Sequence, residues 1–222
     1  MKRYSKGFFG VLTLSLMASG LAHAAAFDEL TASEQATVES GGVAFRSVPD
    51  DSSPLPKMYL YQLIDATPEE CLAVYSDFPL QKSYVPDMLM SDVASRPSPN
   101  VAIVNFELKT PFPIPNEHYT ARVTSSQYDG GSSYRSDWKL LHADTTKDTV
   151  GSARFEVHGS KTFLAYYNFV TPGTRFASLI TGRAVTQVKE TMAAFANQVT
   201  DEKANNPDLL QKQIGELEDS LK

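Results

Sequence analysis

The sequence predicts an α+β fold in which a curved antiparallel sheet and two short helices wrap around one long C-terminal helix. Three observations lead to this prediction. An alternating apolar segment, 57–65, passes directly into a helix start at residues 67–70. Strand-like segments separated by turn residues then fill the chain between 101 and 170. Finally, apolar residues recur every three or four positions over 176–199, as they do on one face of a helix.

The N-terminal 24 residues are predicted to be a signal peptide outside the fold. Lys2 and Arg3 give a basic start, 7–21 is an apolar run, and the small residues Ala22 and Ala24 fit the positions that a signal peptidase reads. The apolar run is short for a membrane anchor. We therefore expect cleavage after Ala24 and an exported protein, periplasmic or secreted.

The segment after this leader is predicted to contain a short helix followed by two strands. Thr31 and Glu34 have the spacing of a capping box at the start of helix 31–40. The first strand is expected at 43–48. The second, 57–65, is apolar on both faces, with Met58, Leu60, Gln62 and Ile64 on one side, which indicates a central position in the sheet.

Two short helices are predicted after the second strand. Thr67 and Glu70 form another capping pair, and Pro68 lies at the first helical position, where its missing N–H costs nothing. Pro79 ends this helix, and a second short helix follows at about 81–86.

The remaining strands are predicted to form antiparallel hairpins, because only short turns separate them. They are rich in branched and aromatic residues. Their expected ranges are 101–109, 117–127, 134–142, 152–158 and 162–170.

The long C-terminal helix is expected to run to about residue 200. A helix of about 25 residues would span roughly 38 Å, enough to cross a whole sheet. Residues 25–200 are thus predicted to form one domain, and 201–222 a charged helical tail with a narrow leucine stripe. This tail could pack on the domain, pair with a partner, or remain free in solvent.

The charge balance is acidic, with 20 Lys and Arg against 26 Asp and Glu. Without the predicted leader, which carries three basic residues and no acidic ones, 17 against 26 remain, a net charge of −9. Such a surface argues against nucleic acid and anionic membranes as partners. Cys71, the single cysteine, cannot form an internal disulfide and is expected to be a buried structural thiol.

Three segments together resemble the START-like domains of the SRPBCC superfamily, which have the helix-grip fold and are related to polyketide cyclases. They are the strand opening at 41–49, the strand-to-helix passage at 65–86, and the proline-aromatic turn at 110–119, and they occur in the expected order. The polar pair after that turn is Asn116-Glu117, where Arg-Asp is common in the family.

The resemblance implies a carrier or sensor of an apolar molecule (sterol-like, isoprenoid or phospholipid) that is held between the sheet and the C-terminal helix. No cofactor and no metal ion are predicted, and transient contact with a membrane or a protein is expected for cargo exchange. Arg122 is a candidate polar anchor, whereas Arg154, Glu156 and His158 are expected on a solvated face. The candidate cavity-lining residues are Val104, Phe106, Tyr119, Arg122, Trp138, Phe155, Tyr166, Phe176, Ile180 and Val188.

Two alternatives stay open. A cyclase or hydratase acting on a polyketide-like or steroid-like substrate would need an acid or base inside the cavity, and Glu107, His118, Tyr119 and His158 are the candidates. The other alternative is a protein-interaction module that docks through the tail at 207–222.

Overall fold

The computed structural model describes residues 26–110, 112, 115–173 and 177–222, without the side chains of 177–180. The predicted signal peptide therefore lies outside the described residues.

The described chain forms one antiparallel sheet and five α-helices. The strands lie in the order β1-β2-β8-β7-β6-β5-β4-β3, and each neighbouring pair is antiparallel. Their bounds are β1 Ala44–Asp50, β2 Ser53–Ile64, β3 Met88–Ser98, β4 Val101–Leu108, β5 Glu117–Tyr128, β6 Ser133–Ala143, β7 Thr146–His158 and β8 Lys161–Pro172. The helices are α1 Ala32–Glu39, α2 Pro68–Ser76, α3 Phe78–Tyr84, α4 Ala177–Asn205 and α5 Pro207–Leu221, with short 3-10 turns at Ala26–Glu29 and Asp129–Gly131.

The predicted α+β arrangement is confirmed. Helix α4 has 29 residues, about 44 Å at 1.5 Å per residue, and it lies against the inner face of the sheet. Its stripe Val188, Met192, Phe195 and Val199 is buried in the main core together with the inward-facing residues of β2. The period of 3.6 in the sequence thus identifies the buried face of the helix.

Both predicted capping boxes are present. At the start of α2, the Thr67 N–H donates to Glu70 Oε2 at 2.7 Å, and the Glu70 N–H donates to Thr67 Oγ1 at 3.2 Å. Glu70 Oε2 also accepts from Lys203 Nζ at 2.9 Å, which links α2 to the end of α4.

The part of β7 that carries Arg154, Glu156 and His158 is covered rather than solvated, so this prediction is wrong. The N-terminal segment covers it: the Ala26 N–H donates to Glu156 Oε2 at 2.7 Å, and the Phe27 ring lies 4.3 Å from the His158 ring, centroid to centroid. Arg154 pairs with Glu156 beneath this segment. A buried carboxylate is tolerated here because both of its oxygens have donors.

Strand β3 was not expected from the sequence. It is an edge strand with irregular pairing to β4, and six of its eleven residues are exposed. It also contains Pro97, which an edge position tolerates because only one side of the strand needs donors. The strands β2 and β7 begin earlier than predicted, at Ser53 and Thr146.

The C-terminal tail packs on the domain, one of the three alternatives that the sequence left open. Leu210 and Leu217 of α5 are buried in the main core, and Gln213 Nε2 donates to Asp77 Oδ2 at 2.9 Å between α2 and α3. Among the helices of the described chain, none is long and apolar enough to span a membrane.

Candidate functional site

A cavity of about 450 Å³ lies between the inner face of the sheet and α4, closed on a third side by α2 and α3. Its wall is mainly aliphatic and aromatic. The apolar and aromatic lining residues are Leu55, Met58, Tyr75, Phe78, Tyr84, Val85, Met88, Phe106, Leu108, Tyr119, Ala121, Val123, Trp138, Tyr166, Val170, Ala184, Val188, Met192 and Phe195.

Strand alternation determines which side chains reach the cavity. On β5, Tyr119, Ala121 and Val123 face inward, while His118 and Arg122 are exposed on the other face. Phe106 of β4 pairs with Tyr119, and the two rings stack with centroids 4.8 Å apart. The inner faces of β4 and β5 therefore form one continuous aromatic and aliphatic wall.

Trp138 lies over Gly151 of the neighbouring strand. The two residues are paired across β6 and β7, and a Cβ at Gly151 would overlap the indole ring. The glycine thus gives the ring space to lie flat against the strand and to line the cavity beside Tyr166, with ring centroids 5.4 Å apart.

Charged and polar side chains gather at one end of the cavity, which we call the mouth (Asp87, Lys109, Thr146 and Arg183). Asp87 follows α3 and has φ of 61°, a left-handed conformation that Asp adopts more readily than most residues. Its carboxylate pairs with Arg183 of α4, and this contact raises the pKa of the guanidinium. The ion pair joins the α3–β3 connection to the first part of α4 at the mouth.

Glu117 is a buried carboxylate beside the mouth, and both of its oxygens accept hydrogen bonds from the protein. Its oxygens accept from the Thr145 N–H at 3.1 Å, from the Thr146 N–H at 2.8 Å and from the Thr145 hydroxyl. These bonds fix the turn between β6 and β7. Glu117 therefore stabilises the protein beside the mouth, and its oxygens are not available to a ligand.

The structure brings five of the ten candidate residues onto the cavity wall: Phe106, Tyr119, Trp138, Tyr166 and Val188. Val104 and Phe155 face inward too, but they are completely buried beneath other side chains and belong to the core.

The prediction for Arg122 is corrected, because its side chain is exposed on the outer face of β5. Phe176 lies outside the described residues, and the side chain of Ile180 does as well. The polar anchor proposed at Arg122 is therefore not part of this cavity.

The sequence reasoning missed the contribution of the two short helices. Tyr75 of α2 and Tyr84 of α3 line the cavity, as do Met88 and Leu108 near the mouth. Tyr75 stands in the apolar stripe that identifies the buried face of α2, but the sequence does not tell that this face meets a cavity.

No protein-family model matches the chain, and no curated protein sequence matches it significantly. Solved structures do resemble it. A STAR-related lipid transfer protein from Xanthomonas axonopodis has a TM-score of 0.65 at 14% identity, over 72% of this chain and 94% of that one. Human StAR-related lipid transfer protein 5 has a TM-score of 0.63 at 12% identity, over 72% and 83%.

A third similar structure is an enzyme, the Zhui aromatase/cyclase from Streptomyces sp. R1128. Its TM-score is 0.52 at 9% identity, over 72% of this chain and 96% of that one. At such identities the likeness concerns the fold alone. The chain thus has the helix-grip fold of START-like domains, as its three signature segments predicted.

Proposed function

We propose that this protein binds an apolar small molecule or lipid in the cavity between the sheet and α4, as a carrier or sensor that acts after export. The observation that carries the proposal is the cavity itself. Its volume of about 450 Å³ falls within the range of roughly 300–1,000 Å³ typical of ligand sites, and aliphatic and aromatic side chains dominate its wall. An apolar ligand that fits this space gains packing contacts with the aliphatic and aromatic wall.

The similar structures favour a lipid over other apolar ligands, because two of them are named as lipid transfer proteins. The predicted leader supports export. An apolar molecule that crosses an aqueous compartment needs to be shielded from water, and a cavity enclosed by sheet and helix provides that shielding.

The positions of the acid–base candidates favour a carrier over a cyclase. Glu107 and His118 lie on the outer face, where His118 Nδ1 is 3.0 Å from Asp144 Oδ2, and His158 lies under Phe27. Tyr119 alone of the four faces the cavity, and burial holds its pKa well above the usual range, so it is a poor base at neutral pH.

The test is lipid extraction and native mass spectrometry of the protein purified from its native compartment. We expect one apolar molecule per chain and an N-terminus at Ala25. After delipidation, adding back the extract should change the fluorescence of Trp138, the single tryptophan, because its ring lines the cavity. If the purified protein carries no lipid and turns over a polyketide-like substrate, the result would show instead that it is an enzyme.

We also propose that the loop after β4 touches a membrane during cargo exchange. Phe112 is 97% exposed at this loop, just beyond Lys109 and Thr110 of the cavity wall. The Thr110 hydroxyl donates to the Pro115 carbonyl at 2.5 Å and closes the base of the loop. An aromatic ring held in water beside the mouth is suited to insertion into a lipid interface.

Phe112→Asp is expected to slow ligand transfer to phosphatidylcholine vesicles severalfold without changing ligand affinity. Uncharged vesicles are chosen because the acidic surface would be repelled by anionic ones. The matched control is Val157→Asp, since Val157 is 55% exposed and lies near the opposite end of the β7–β8 pair. Equal transfer rates for the two variants would contradict membrane contact by Phe112.

A further inference from the structure

Four tyrosine hydroxyls open into the cavity without a hydrogen-bond partner among the described residues. They belong to Tyr75, Tyr84, Tyr119 and Tyr166, all of which line the cavity. None of these oxygens is sealed off in the protein interior without a partner, as the Ser136 hydroxyl is. The oxygens therefore keep access to the cavity space.

A buried tyrosine elsewhere in the fold behaves differently. The Tyr134 side chain is also buried, and its hydroxyl, nearer the surface, donates to Glu69 Oε1 at 3.2 Å and accepts from Gln127 Nε2 at 3.1 Å. Buried hydroxyls ordinarily find such partners. Unlike the Tyr134 hydroxyl, the four hydroxyls at the cavity have no partner among the described residues, so they stay available to a ligand.

Ring packing fixes where these hydroxyls lie. The Tyr75 ring meets the Phe195 ring edge-on with centroids 5.4 Å apart, and Tyr119 and Tyr166 pack on Phe106 and Trp138. Because these rings are held in place, their hydroxyl oxygens keep fixed positions at the cavity wall. Their positions suit them to donate hydrogen bonds to a molecule inside the cavity.

The hydroxyls are neutral donors and lie near one another. Burial holds the pKa of Tyr75, Tyr84, Tyr119 and Tyr166 above the usual range, so all four stay protonated at physiological pH. The Tyr75 and Tyr166 rings both lie beside the Trp138 ring, with centroids 6.5 and 5.4 Å from it, and Tyr166, Tyr84 and Tyr119 raise the pKa of Tyr75 further. In the described part of the chain, the charged lining residues are three at the mouth and Glu117 beside it.

We propose that the cavity selects an apolar molecule that carries an uncharged acceptor oxygen, a carbonyl or hydroxyl, on its buried body, and that the donors to this oxygen come from among the hydroxyls of Tyr75, Tyr119 and Tyr166. This inference rests on the proposed ligand-binding function. A plain hydrocarbon leaves the hydroxyls unpaired, and a charged group placed this deep has no counter-ion, so both bind less well.

Three probes with one carbon skeleton test the inference: tetralin, 1-tetralol and 1-tetralone. Equilibrium dialysis against delipidated protein, with free probe measured by gas chromatography, gives each affinity. In the triple variant Tyr75→Phe/Tyr119→Phe/Tyr166→Phe, the affinity for 1-tetralone should fall about tenfold, while that for tetralin should stay the same or rise because no hydroxyl is then left unpaired. The rings remain in this variant, so retained tetralin binding also shows that the cavity is intact.

The matched control removes three hydroxyls from the outer face, as Tyr59→Phe/Tyr61→Phe/Tyr167→Phe, and should leave all three affinities unchanged. If the affinity for 1-tetralol falls as well, the hydroxyls recognise any neutral oxygen. If only the affinity for 1-tetralone falls, they recognise a carbonyl. Both results support the inference. An equal change in the affinities for tetralin and 1-tetralone in the cavity variant would overturn the inference. Failure of all three probes to bind the wild-type protein would overturn the ligand-binding function as well.

Discussion

Replacing Ala184 by tryptophan is expected to abolish ligand binding while leaving the protein folded. Ala184 lies on the face of α4 that lines the cavity. An indole placed there occupies space that a ligand needs, so we expect affinity for the extracted ligand to fall at least tenfold. The fold should tolerate the change because the new side chain enters a cavity rather than a filled core.

The control for this experiment lies on the same helix. Ala193 is exposed, so Ala193→Trp adds the same ring on the solvent side. Both variants should unfold within about 2–4 °C of the wild type, which corresponds to about 1 kcal/mol for a chain of this size. Full binding by Ala184→Trp would show that the ligand does not occupy this cavity. Ala121→Phe fills the same space from the sheet and provides a second test.

Local signals were sufficient to predict most of the fold. The two capping boxes and the helical stripe of α4 involve residues three or four apart, so they are visible in the sequence without knowledge of tertiary structure. Strand β3 was missed because an edge strand needs little apolar surface, and its sequence through Pro97 looks like a loop.

The cavity wall was only partly predictable. Alternation fixes which side of a strand a residue faces, and it would have excluded Arg122, which is three positions from Tyr119 and therefore on the opposite side. Alternation does not tell what covers an inward-facing residue. Val104 lies in a core cluster with Phe78, and Phe155 is covered by Tyr75 and Phe195. These contacts join distant parts of the chain and carry no local signal.

The substitution Leu217→Ala is expected to destabilise the protein by about 2–5 kcal/mol. Leu217 is 4% exposed and packs in the main core together with residues of α2 and α4. The loss of its side chain leaves a cavity that the surrounding helices cannot fully close. Urea unfolding followed by circular dichroism measures the effect.

The matched control is Leu209→Ala. Leu209 lies on the same helix but is 36% exposed, so its replacement should change the free energy of unfolding by less than about 0.5 kcal/mol. If α5 were instead a docking helix for a partner, both substitutions would leave stability nearly unchanged, and Leu217→Ala would weaken a complex.

The position of α5 connects this stability to the cavity. Helix α5 packs against α2, and α2 in turn supplies Tyr75 to the cavity wall. A loosened α5 withdraws support from the opposite side of α2, so Leu217→Ala should also weaken ligand binding although Leu217 does not line the cavity. An unchanged ligand affinity in a destabilised Leu217→Ala protein would show that α2 holds its position without α5.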